Sequence, residues 1–134
     1  MKILLDTHIL LWLFSDNKLL SEAAKEEILK EENDVFYSVV SVWEVAIKHA
    51  AHPDKIFLNG KQFSSLCRDS GFDMLPLHDS HVFAVETIQR DEDAPPHKDP
   101  FDRMLIAQAK AEGMTLFTHD KMLPYYNEPC VRMI

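Results

Sequence analysis

Apolar and polar positions change period repeatedly along the chain, and the changes predict strands interleaved with helices. Residues 2–5 form a short apolar run closed by Asp6 and Thr7, the pattern of a buried strand ending at a polar turn. A helix-like apolar stretch follows over residues 8–14, and residues 21–31, rich in Ala, Glu, Lys and Leu, predict a second helix. Residues 35–40, VFYSVV, are β-branched and aromatic and predict a strand. Ser41 opens a helix through about residue 50. Residues 53–60 read as a loop with a short apolar segment, and residues 61–70 as a helix closed by Gly71. A third strand is expected over residues 72–77, weakened towards its end by Pro76. Helix returns over residues 79–90. The segment DEDAPPHKDP, residues 91–100, is charged, proline-rich and without an apolar stripe, hence a loop. Residues 101–112 predict a strong helix ended by Gly113, residues 114–118 a strand, and residues 130–134 a final one. No internal repeat or low-complexity tract interrupts this order.

Strands alternating with helices predict an α/β fold. Its centre is a parallel sheet of about four to five strands, with helices on both faces. In such sheets functional residues gather at the carboxyl ends of the strands. The length of 134 residues suits one domain over residues 1–134, and 46% hydrophobic with 27% charged residues excludes a disordered chain. The N-terminus MKILLD meets a carboxylate at Asp6 before any signal-peptide core could form. The apolar run over residues 9–14 is too short to span a bilayer, which needs about 20 residues. A cytoplasmic protein without a membrane partner is therefore expected. Cys67 and Cys130 form no CxxC pair, which fits two incidental thiols in a reduced chain. Fourteen Lys and Arg against 22 Asp and Glu leave a formal charge of −8. That argues against a passive nucleic-acid binder with a basic face. It leaves room for an enzyme whose acids gather around divalent ions.

The acids at the predicted strand ends carry the candidate chemistry. Asp6 ends the first strand, Glu44 lies in the first turn of the helix after VFYSVV, and Asp120 follows TLFT. Asp102 lies in the first turn of the helix after the proline-rich loop. Each also has a plain structural explanation. Ser41 and Glu44 have the spacing of a capping box. Asp99 could cap a helix with Pro100 at its first position, leaving Asp102 as an acid that complements the helix dipole. Asp120 could cap the segment after it, and Asp79, after LPLH, reads as the cap of its own helix. Convergence changes the weight of these explanations. Two carboxylates about 5 Å apart repel by roughly 3 kcal/mol at an effective dielectric of 20. Four on one sheet rim would need protonation or a cation among them. Oxygen ligands without a Cys or His set favour Mg²⁺ or Mn²⁺ over zinc, and such a site suits hydrolytic attack on a phosphate.

At these residues the chain resembles the PIN-domain family, and within it the VapC-like toxins of type II toxin–antitoxin systems. The resemblance runs from end to end and is carried by LLDTHILLW, SVVSVWEVAIK and HKDPFDRMLIAQAKAEGMTLFTHD. It implies an α/β/α sandwich that cleaves RNA with Mg²⁺ or Mn²⁺. Matched residue by residue, the family's acids fall on Asp6, Glu44, Asp102 and Asp120, with Asp6 and Asp102 as first choices for direct ligands. Glu44 and Asp120 would complete the site directly or through water. Thr118 is a supporting hydroxyl or an ordinary strand residue, and Asp99 an extra acid outside the pattern. The resemblance also implies a VapB-like antitoxin that covers the early helices and plugs the site with a basic side chain, and a homodimer.

Other residues near the site keep two readings. His8, His97 and His119 adjoin the acids, with solvated or supporting roles preferred over ligation because no HExxH spacing occurs. Arg103 and Lys98 could steady an RNA phosphate. Arg103, Ala107 and Lys110 also share what reads as a solvent-side helical face. Trp12 and Phe14 belong to an apolar helix, with core packing as the default and a partner groove as the rival. A receiver-type phosphoryl-transfer domain fits poorly, because Asp6 stands alone and Lys121 is displaced from the strand end. A catalytically silent PIN-like module that binds RNA or protein remains as the rival from another class.

Overall fold

The computed structural model describes residues 1–134. Five strands, β1 (Lys2–Leu5), β2 (Asp34–Ser38), β3 (Asp73–Leu75), β4 (Thr115–Thr118) and β5 (Val131–Met133), form one sheet in the order β3-β2-β1-β4-β5. Every neighbouring pair is parallel. Six helices connect them: α1 (Thr7–Ser15), α2 (Glu22–Ile28), α3 (Val39–Ala51), α4 (Gly60–Asp69), α5 (Asp79–Val85) and α6 (Pro100–Glu112). A 3-10 turn, Leu123–Tyr126, precedes β5.

Alternation along the strands splits the core in two. Ile3 and Leu5 of β1, with Tyr37 and Phe117, face a cluster built from Ile9 and Leu10 of α1, Ala24 and Ile28 of α2, and Phe63 and Cys67 of α4. Leu4 and Leu116 point the other way, onto Leu105, Ile106 and Ala109 of α6. Successive strand side chains face opposite sides, so each strand feeds both layers. The result is an α/β/α sandwich with helices on both faces, as expected. The chain runs outward from β1 through β2 to β3, then returns to β4 on the other side of β1. That reversal makes the carboxyl ends of β1 and β4 the crevice where such sheets hold their ligands.

Several boundaries differ from the sequence expectation for identifiable reasons. β2 stops at Ser38 and not at Val40, because the Ser38 hydroxyl accepts the Val40 N–H at 2.9 Å and caps α3. Ser41 therefore lies inside the helix, Glu44 is beyond its first turn, and the expected Ser41–Glu44 capping box does not form. α2 ends at Ile28, where the Asn33 side chain donates to the Glu27 carbonyl at 2.7 Å. β3 is limited to three residues and stops before Pro76, which has no N–H to continue a ladder. α5 ends at Val85, because Thr87 and Ile88 bond back three residues and tuck Ile88 into the core. Its N-cap is His78, so Asp79 is the first helical residue and not the cap. Gly113 closes α6 at φ +66°, a left-handed position that glycine adopts without steric cost.

A buried polar network ties α6 to the ends of β2 and β3. Gln108 of α6 accepts from the Ser38 hydroxyl and donates to the Pro76 carbonyl at 3.3 Å. Beside it, buried His81 contacts Glu112 at 2.8 Å through Nε2 and accepts the His78 backbone N–H at Nδ1. Gln108→Ala removes the only side-chain acceptor in reach of the Ser38 proton and opens a hole beside it. The variant is expected to lose about 1–3 kcal/mol of stability in urea unfolding with an unchanged m value. A loss below about 0.5 kcal/mol would mean that water replaces the amide.

Candidate active site

Four segments bring acids to the crevice. Asp6 is the residue at which β1 passes into α1, and its backbone N–H still pairs with the Phe117 carbonyl at 3.0 Å. Glu44 comes from α3. Asp102 lies in the first turn of α6, which Asp99 caps by accepting the N–H groups of Phe101 at 2.9 Å and Asp102 at 3.2 Å. Asp120 follows β4, its backbone N–H bonded to the Thr118 hydroxyl at 3.0 Å and its Oδ1 accepting the Met122 N–H at 2.9 Å. Asp6 and Glu44 are each 1% exposed and Asp102 4% exposed, so the cluster is sunk below the surface.

The carboxylates feel one another. Burial pushes the Asp102 carboxyl up to about 8, and the charges of Asp6, Asp99, Glu44 and Asp120 add to the effect. Burial also raises Asp6, with Glu44 adding to the rise, although the Thr118 hydrogen bond and His8 oppose it. Thr118 donates to Asp6 Oδ2 at 2.6 Å, whereas Asp6 Oδ1 is buried without any hydrogen-bond partner. A buried carboxylate oxygen left unpaired is costly, and an ion would supply its missing partner. On the other side of the cluster, one carboxylate oxygen each of Asp102 and Asp120 and one ring nitrogen of His97 lie within 4.8 Å of one another. The donor set is dominated by hard oxygens, which fits a divalent cation of the Mg²⁺ or Mn²⁺ kind.

Glu44 is engaged differently. The Thr7 hydroxyl lies 2.8 Å from both Glu44 Oε1 and Ser41 Oγ. Thr7 has one proton and the carboxylate can only accept, so Thr7 donates to Glu44 and accepts from Ser41. The other oxygen, Oε2, takes a short ion pair from Lys48 one turn along α3. Burial works against the Lys48 charge, but the Glu44 hydrogen bond and the charges of Glu44, Asp99 and Asp102 hold its ammonium above the usual range. Glu44 thus joins the cluster with both oxygens occupied.

The structure therefore brings Asp6, Glu44, Asp102 and Asp120 to one site, with Thr118 on Asp6 and Asp99 as the cap of α6, its charge also felt by Asp102. Asp79 is exposed at the start of α5 and is not among the charges that Asp102 feels. Arg103 is half-buried with its Nε unpartnered, and Ala107, expected on a solvent-side face, is fully buried. α6 packs against α5, α3 and β4, which leaves Lys110 as the exposed member of that trio. Sequence reasoning missed Lys48, whose signal was its i,i+4 spacing from Glu44, and Thr7, which is 37 residues away and had no local signal; Ser41 reads in the sequence only as a cap. It also set His97 aside as a ligand. His97 Nε2 lies 3.3 Å from Asp102 Oδ2, while Nδ1 contacts the Tyr126 hydroxyl at 2.7 Å. His97 sits in the proline-rich loop, where no periodicity could position it.

A family model described as the PIN domain matches residues 3–128 of the chain. No curated protein matches it by sequence. Among solved structures, VapBC2 from Rickettsia felis, bound to a DNA fragment from its promoter, aligns at TM-score 0.69 and 17% identity, covering 100% of this chain and 98% of that one. VapBC-1 from nontypeable Haemophilus influenzae aligns at TM-score 0.65 and 15% identity, covering 100% and 97%. A toxin–antitoxin complex from Klebsiella pneumoniae aligns at TM-score 0.64 and 18% identity, covering 97% and 95%. At these identities the likeness is one of fold.

Proposed function

The chain belongs to the PIN-domain family, and on that premise we propose that it is a divalent-metal-dependent endoribonuclease, the toxin of a VapBC-like pair. The observation that carries the reading is the convergence of four acids, three of them buried, with Asp6 Oδ1 left unpartnered. Asp6 and Asp102 would hold Mg²⁺ or Mn²⁺, with Asp120 completing the set. When bound, the cation would neutralise charge on the scissile phosphate and make water a better nucleophile.

The chain's own residues supply orientation. Thr118 fixes the Asp6 rotamer through Oδ2 and also ties down the Asp120 backbone. The Met122 N–H occupies Asp120 Oδ1, which leaves Oδ2 as the oxygen that would join the cation. Glu44 is a positioning residue, held by Thr7 and Lys48. Its charge and that of Asp99 tighten the demand for a cation. Lys98, in the loop beside the site, and Arg103 would steady the RNA backbone away from the acids. A VapB-like antitoxin with a basic side chain suits a buried acidic site, and the structural neighbours come from toxin–antitoxin complexes. A homodimer and a cytoplasmic location complete the reading. Two unpaired thiols, Cys67 and Cys130, are compatible with a reducing compartment. No helix is long and apolar enough to cross a membrane.

The test is cleavage of pooled cellular RNA by antitoxin-free protein in Mn²⁺ and in EDTA. Cutting in Mn²⁺ that EDTA abolishes supports the nuclease. Intact RNA under both conditions would leave a silent RNA- or protein-binding module as the better reading. Metal binding can be read separately from turnover. Millimolar Mn²⁺ should raise the melting temperature, since a ligand of the folded state stabilises it by mass action. At a hundredfold excess over Kd the gain is about 2.7 kcal/mol. Asp6→Asn is expected to lose most of this shift, and full retention would remove Asp6 from the ligand set.

A further inference from the structure

We propose that the cleft formed by His8, Trp12, His119 and Asp120 holds an unpaired nucleobase of the RNA, stacked on the Trp12 indole beside the reacting phosphate. The proposal rests on the nuclease reading and specifies how that site takes its substrate. The cleft has a volume of about 250 Å³, and three of its four walls are rings. Trp12 and His119 meet edge to face, with centroids 5.2 Å apart and planes at 71°. His8 lies 6.3 Å from Trp12 at 58°. Neither imidazole lies parallel to the indole, so no ring pair inside the cleft is already stacked. The fourth wall, Asp120, also belongs to the acid cluster, so an occupant of the cleft is a direct neighbour of that cluster.

The wall is fixed and carries a polar edge. His119 Nδ1 lies 2.8 Å from the Ile134 carbonyl, to which it must donate. That contact fixes the ring through one nitrogen and leaves Nε2 without a protein partner. Beyond Trp12 a second cleft of about 290 Å³ shares His8 and Trp12 and adds Lys55 and Phe57. Phe57 is 62% exposed, and Lys55 forms none of the molecule's ion pairs. Acid cluster, ring-walled cleft, then cation and phenyl ring follow one another as phosphate, base and phosphate do along a single strand. A chain of net charge −8 does not gather RNA by long-range attraction, so ring stacking would add to the few local cation contacts that hold it. Stacking is tolerant of sequence because every base offers a face. Trp12 also packs against the core below it, which explains its half-burial but not the ring-lined space above it.

The experiment uses the emission of Trp12 in the full-length Trp43→Phe protein. Trp43 is the only other tryptophan, 57% exposed on α3, packed edge to face on Phe101 and not among the residues that line the cleft. A short oligoadenylate is mixed rapidly with this protein in Mg²⁺, and an abasic oligomer of the same length serves as control. Quenching by the oligoadenylate but not by the abasic oligomer is expected. Trp12→Ala should weaken binding by about 5- to 150-fold, and Trp12→Phe should restore most of it. If Trp12→Ala unfolds, the emission titration of the intact indole decides alone. Unchanged emission while the Trp43→Phe protein still cleaves RNA overturns the stacking cleft and leaves the nuclease standing. Equal quenching by both oligomers also overturns it, since the contact would then be to the backbone. Loss of cleavage by the unmutated protein would instead strike the nuclease reading itself.

Discussion

Replacing Asp102 with Asn is expected to reduce Mn²⁺-dependent RNA cleavage by about a thousandfold while leaving the protein folded. Without metal, Asp102 is held near a pKa of about 8, so at neutral pH its carboxyl is mostly protonated. Asn has nearly the shape of that neutral acid, and the substitution opens no cavity at this buried position. What it removes is the ability to become a carboxylate when a cation arrives. A bound cation contributes several kcal/mol of charge stabilisation in phosphate hydrolysis. Losing about 4 kcal/mol of it corresponds to roughly three powers of ten in rate. Initial rates on one defined oligoribonucleotide, at saturating Mn²⁺ and with far-UV dichroism as the folding check, measure the loss. A folded variant within tenfold of the parent rate would show that the reaction does not pass through Asp102.

The same substitution should act in the opposite direction on stability, and pH separates the two effects. Asp102 in the folded protein has its pKa raised from 3.8 to about 8, chiefly by burial and then by Asp6, Asp99, Glu44 and Asp120. Between those values the folded state binds more protons than the unfolded state, so stability falls as pH rises. The contribution is fully present below pH 3.8 and is lost as pH passes through about 8. Asp6, also raised by burial, adds in the same direction. EDTA-treated protein is therefore expected to melt lower at about pH 8 than at about pH 5, by on the order of a few kcal/mol in stability. Asp102→Asn should flatten this dependence and raise the alkaline melting temperature. Mn²⁺ binds the deprotonated acids, so its stabilising effect should grow as pH rises. The check is a melting series across this range with EDTA, with Mn²⁺ and with the variant. A metal-free protein whose melting temperature climbs steadily to about pH 8 would contradict the buried, mutually repelling cluster.

The order of elements was readable because each signal is local. The apolar period of residues 2–5, the β-branched run at Val35 and the Gly113 stop act within a few residues of themselves. Boundaries were less readable where a side chain chose between two roles. Ser38 looks like part of VFYSVV, but its hydroxyl caps α3 and thereby moves Glu44 out of the first turn. Ile88 looks like a helical residue, but burial draws it out of α5 into the core. The Ser38 cap is a local bond, but the hydroxyl's own proton goes to Gln108 seventy residues away, and the core that draws in Ile88 is likewise built from distant segments.

For the site, the sequence by itself determined which acids exist, where each stands relative to its strand or helix, and that a parallel sheet would collect such positions on one rim. Only the tertiary structure decided which of them meet, because contacts such as Thr118 to Asp6 span more than a hundred residues. It excluded Asp79, kept Asp99 as a cap, brought His97 to Asp102 from an unpatterned loop, and occupied both oxygens of Glu44 while leaving Asp6 Oδ1 bare. The physical reason is that a carboxylate's chemistry is set by its burial and its neighbours' charges. Both are properties of the packed chain and not of any segment of it.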